Sequence, residues 1–273
     1  MKSFLDWRAG VLVLIVAVIA VVVSLRGPIA QLPDYNEFAD QRTILGVPNF
    51  WNVASNAPFA VIGVLGLALL WREARRSKEM PAAGLPLLTA DRWCLAVFFI
   101  GVLWTAFGSG WYHLHPDNDR LVWDRIPMSV AFMGLVAAII AERIGGRAAL
   151  WLLPPLLAVG ALSVLHWHAS EVRGQSDLRF NGALQAMTFV FIVLCAALYR
   201  GRYLRWPVLV GCLVCYVLAK VFEFTDGATY RLLTVGGEPL LSGHTIKHVV
   251  AAAAPGWILV DLWRQAGRGR GQQ

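Results

Sequence analysis

The chain has 273 residues, 58% of them hydrophobic and only 15% charged, against roughly 45–50% and about 25% in soluble domains. This excludes an ordinary soluble domain and indicates an all-α integral membrane protein. The formal net charge of +7 would suggest nucleic acid in a soluble protein, but in a membrane chain basic residues first report orientation.

Crossing a bilayer takes about 20 mostly apolar residues, and eight stretches qualify: 9–25, 50–71, 93–112, 126–142, 149–167, 181–199, 206–222 and 244–263. The first could be a signal peptide, but its apolar core is long and "VVVSLRGP" offers no small-x-small cleavage site, so it reads as an uncleaved anchor. The expected organisation is an anchor helix over 1–30, a seven-helix domain over 31–264 and a basic cytoplasmic tail over 265–273. Cys94, Cys195, Cys212 and Cys215 all lie in apolar runs, which argues against a disulfide framework. Cys212-x-x-Cys215 reads as small apolar filler.

Placing 1–8, 72–92, 143–148, 200–205 and 264–273 on one side gathers fifteen Lys and Arg there, against seven in the opposite loops, with Lys220 and Lys247 inside spans. Cytoplasmic loops carry such an excess, so both termini are predicted cytoplasmic. The positive charge is thereby explained without a nucleic-acid partner. Oligomeric state is not readable.

All six histidines fall at helix ends on the predicted exterior side: His113 and His115, His166 and His168, His244 and His248. "SGHTIKHVV" places His244 and His248 one turn apart on one helical face, the spacing by which a single helix chelates zinc. "GSGWYHLHPDNDRLVWDRIPM" supplies a third ligand in His113, with His115 its rival two residues on. Ser109 shares the His113 face, and Gly108 and Gly110 permit close helix approach. Asp124 is expected just before the fourth span. Three histidines would leave the fourth zinc position for water, with Asp124 as proton acceptor and donor and Ser109 as oxyanion donor. Competing readings make Asp124 an ion-pair partner of Arg125 or a helix N-cap. Lys220 and Glu223, three apart in "AKVFEF", suit either a structural ion pair or a charge-lined transport path. No pair of interrupted spans suggests a transporter's inverted repeat.

The order S-x-x-x-H, then D-x-x-P-M, then H-x-x-x-H in the last span resembles the alkaline ceramidase family, part of a seven-helix superfamily of membrane hydrolases and progestin and adiponectin receptors. "NFWNVASN" (Asn49 to Asn56) looks like the opening of that family's first core helix. The resemblance covers roughly residues 34–264 and makes the first span an addition. It implies zinc on His113, His244 and His248, with catalytic Ser109 and Asp124. It further implies hydrolysis of the N-acyl bond of ceramide, or of a related lipid amide drawn from the membrane, to a sphingoid base and a fatty acid. A receptor or binding protein retaining the metal without turnover is the alternative. Eukaryotic members bind calcium ahead of the first core helix. Asp34, Glu37 and Asp40 offer oxygens for Ca2+, although Asn49 stands where those members carry an acid.

Overall fold

The computed structural model describes residues 7–79, 85 and 87–268; Lys2, Arg270 and the rest of the expected tail beyond 268 lie outside them. All eight expected spans are helices. They are α1 (Trp7–Leu25), the pair α2 (Phe50–Ala54) and α3 (Ala57–Glu79), α4 (Thr89–Leu114), α5 (Asn118–Arg143), α6 (Gly146–Val172), α7 (Arg179–Leu198), α8 (Trp206–Phe224) and, after the short α9 (Asp226–Leu232), α10 (Gly243–Arg268). A two-stranded hairpin, β1 (Thr234–Val235) and β2 (Glu238–Pro239), precedes α10.

The order of contacts runs α3–α4–α5–α6–α7–α8–α10 and returns from α10 to α3, closing a seven-helix bundle. The anchor α1 stands outside it against α7, with Leu12 buried in the seam. Large apolar side chains such as Val61, Trp71, Phe107, Trp151 and Val217 face outward. In water that surface would aggregate; in lipid it is the expected exterior. The chain is a multi-pass, all-α membrane protein.

One end of the bundle is tied by arginine. Arg143 donates to the carbonyls of Tyr199 and Leu204, Arg202 pairs with buried Asp91, and Arg205 pairs with Asp261. Glu142 accepts the backbone N–H groups of Arg202, Tyr203 and Leu204. The histidine-bearing helix ends lie at the opposite end of the same helices.

The fourth span begins earlier than apolar content suggests. Asp117 accepts from the Arg120 N–H at 2.7 Å, an N-cap that starts α5 at Asn118 and puts Asp124 inside the helix rather than ahead of it. Pro127 follows in α5 and has no N–H to offer the Trp123 carbonyl. That oxygen faces α4 instead: a Cβ built on Gly108 would lie 2.0 Å from it. Gly110 meets nothing within 4 Å, so of the two glycines only Gly108 sets the approach.

Candidate metal centre and cavity

Two helix ends meet here. α4 contributes His113 from its last turn, and α10 contributes His244 and His248 from its first two. Their rings form a near-equilateral triangle, with centroids 4.9, 4.8 and 4.9 Å apart. One ring nitrogen from each lies within 4.8 Å of the others, the only such group of three metal-ligating residues among the described residues. All three side chains are buried. Phe38, from the loop after α1, covers the cluster with its ring 4.7 Å from His113 and 4.3 Å from His244.

The donor set fits a metal ion. The Ser55 hydroxyl lies 2.8 Å from His248 Nδ1, which fixes the ring and leaves Nε2 for a metal, as a supporting hydrogen bond does in metal sites. His113 Nδ1 is buried without a partner, an uncommon state for a polar atom in a finished core. His244 Nε2 lies 3.3 Å from Lys247 Nζ, so a cation stands beside the cluster.

Distant segments hold the helix ends in place. Asp226 accepts from the backbone N–H of His244 at 2.7 Å and from that of Ala39 at 2.9 Å. A Cβ at Gly243 would meet the Phe222 carbonyl oxygen at 2.4 Å, so the close seat of α10 on α8 requires glycine there. Asn49, at φ 49°, donates to the His113 carbonyl at 2.9 Å; asparagine tolerates this left-handed conformation better than most residues. Asn52 is fully buried and joins Asp40 to Thr245. The polar residues of "NFWNVASN" thus serve as the joint between α2, α4 and α10.

Ser109 is buried one turn before His113 and stands beside the Asp124 carboxylate on the same cavity wall. Asp124 forms no ion pair with Arg125 among the described residues, and Asp117 caps α5 instead. Both structural alternatives for Asp124 therefore fall away. Ser109, Asp124 and His248 line one cavity of about 430 Å³ that continues between α4, α5, α7, α8 and α10 along Phe98, Val102, Leu135 and Ile258. This is a usual size for a small-molecule site, with few polar groups and a largely apolar wall.

The remaining histidines stand apart. His115 ends α4 in extended backbone, exposed; His166 reaches Asp177 at 3.4 Å and His168 reaches Asp119 at 2.8 Å. Asp34, Glu37 and Asp40, the possible calcium ligands, are not gathered into one group among the described residues. Asp34 and Glu37 are exposed, whereas Asp40 is buried and accepts from Arg42 Nε and Nη2, at 2.9 and 2.7 Å. Arg42 also donates to the Pro239 and Leu240 carbonyls, and the Asp40 hydrogen bond raises its pKa further. A fixed cation already satisfies the only buried carboxylate of the three. Asn49 turns its amide donor toward His113, not an oxygen toward an ion.

Ser55, Phe38, Asp226 and Lys247 escape sequence reasoning as members of the site. Lys247 carries a signal in its place three residues after His244 on the same helix, and Ser55 in its place within "NFWNVASN". The others reach the histidines only through tertiary contact.

No protein-family model matches the chain, and no curated protein matches it.

Proposed function

We propose that this protein is an intramembrane zinc-dependent amidase, of the kind the alkaline ceramidase resemblance implies, hydrolysing the N-acyl bond of ceramide or a related lipid amide. The observation that carries the reading is the buried histidine triangle beside the Ser109–Asp124 pair, opening on a long apolar cavity. His113, His244 and His248 would hold the ion. Three histidines favour zinc over calcium or magnesium, which take oxygen ligands. When bound, zinc polarises the acyl carbonyl and lowers the pKa of water toward about 7.

The acyl chain lies along the apolar wall, bringing the amide to the polar end. Asp124 accepts a proton from the attacking water as the carbon–oxygen bond forms, then passes it to the amine nitrogen as the carbon–nitrogen bond breaks. Ser109 orients that carboxylate in the resting site and supplies a hydroxyl donor to the negative charge developing on the acyl oxygen. The products are a fatty acid and a free amine, a sphingoid base where the substrate is ceramide. The arginine-rich end faces the cytoplasm with both termini, and the site faces the exterior leaflet; the fifteen-to-seven distribution of basic residues supports this placement.

The test is fatty-acid release from N-acyl sphingoid bases and other long-chain amides by the purified chain, before and after metal stripping and on adding zinc back. Zinc-dependent release supports the amidase. Zinc bound without any product would make the protein a metal-containing binding protein instead.

A further inference from the structure

Charges that the amidase chemistry leaves unused line the polar end of the same cavity. Glu223 on α8 takes Lys220 Nζ at 2.5 Å on one oxygen and Lys247 Nζ at 3.0 Å on the other. One carboxylate is thus shared by two ammonium groups. Arg125 on α5 lines the same cavity. It is only 7% exposed and packs 4.0 Å over the Trp167 ring. Its Nη2 donates to Gln31 at 2.8 Å, while Nη1 is buried with no partner. No carboxylate lies within ion-pair distance of it among the described residues.

Three cations therefore face two carboxylates, Glu223 and Asp124, on the cavity lining, and a divalent ion on the histidines would add to the same sign. Uncompensated charge in a mostly apolar enclosure is costly. A ligand of opposite sign relieves it, through charge-assisted hydrogen bonds of the kind Lys and Arg make to carboxylates. A neutral sphingoid head group would leave this end unanswered.

We infer that the cavity binds acyl lipids through an acid group at its polar end, and that the preferred substrates are N-acyl amines whose amine part carries a carboxylate, as in N-acyl amino acids. The substrate half of this inference rests on the amidase reading; the binding half does not. The same carboxylate chemistry has a second source in the released fatty acid, whose acid group forms on the acyl side of the broken bond.

Equilibrium binding to the purified full chain is measured with N-oleoylglycine, N-oleoylethanolamine and oleate, which share one acyl chain, and oleate release is followed in the same samples. N-oleoylglycine should bind about tenfold tighter than the neutral ethanolamide, the order expected of one charge-assisted contact. Lys220→Met, which leaves the Glu223–Lys247 pair in place, should abolish that preference. Lys220→Arg should retain it, showing that charge rather than folding is read. Equal binding of the two amides by wild type, or an unchanged preference in Lys220→Met, overturns the inference. Oleate binding as tightly as N-oleoylglycine assigns the anion to the product and overturns the amine-side assignment. A binding preference without hydrolysis of either amide, or of ceramide added to the same samples, sinks the amidase reading and the substrate half with it but leaves the binding half standing, and equal hydrolysis without a preference sinks this inference alone.

Discussion

Gly108→Ala tests whether the α4–α5 contact positions the reacting groups. A Cβ at this position would lie 2.0 Å from the Trp123 carbonyl oxygen, where real contacts are essentially never below 3.0 Å, so the two helices must part by roughly 1 Å at that level. The obstacle is backbone and has no rotamer to yield. Gly108 and Trp123 directly precede Ser109 and Asp124, so the displacement falls on the proposed catalytic pair. A misplacement of about 1 Å costs on the order of 10²-fold in rate, and overpacking of this kind destabilises by about 1–3 kcal/mol. Gly110→Ala is the matched control: its Cβ meets nothing, and removing a helical glycine should stabilise by roughly 0.5–1 kcal/mol. Thermal unfolding in detergent and lipid-amide turnover of both variants give the answer. If Gly108→Ala is as active and as stable as Gly110→Ala, the close approach does not hold the site.

Asp124→Asn should keep its zinc and lose about 10²–10⁴ in rate, and Ser109→Ala should keep zinc and lose about 10²–10³; near-normal turnover by fully metallated Asp124→Asn would leave the carboxylate structural. Ser55→Ala frees His248 Nδ1 and should weaken zinc about 10–100-fold in a chelator competition, whereas unchanged affinity would remove Ser55 from the site. A cysteine placed at Gly174 should be labelled from outside intact cells and one at Gly145 spared; the reverse pattern would put the site on the cytoplasmic side.

The spans were legible because a bilayer demands length and apolarity and little else, and all eight helices lie where the hydropathy puts them. Boundaries were less so: α5 starts eight residues before the apolar run at Ile126 because the Asp117 cap, not hydrophobicity, sets its start. His113, His244 and His248 could be paired from spacing and depth. The choice of His113 over His115 was not decided by spacing, since it depends on α4 ending at Leu114 and leaving His115 exposed. The Arg42–Asp40 pair looks in sequence like an ordinary acidic loop followed by an arginine. Its meaning lies in the two carbonyls near β2, Pro239 and Leu240, nearly 200 residues away. Ser55 was visible only as part of a motif, and its contact with His248 crosses from the turn after α2 to α10.

Under the proposed function, His113, His244 and His248 hold one zinc ion on which lipid-amide cleavage depends. Elemental analysis and fatty-acid release should be measured together on wild type and on the His113→Ala, His244→Ala, His248→Ala and His115→Ala proteins. Wild type and His115→Ala should each hold one zinc per chain and turn over substrate, and each of the other three should lose both. Retention of zinc by His113→Ala with its loss from His115→Ala, or cleavage that persists in protein free of metal, would contradict it.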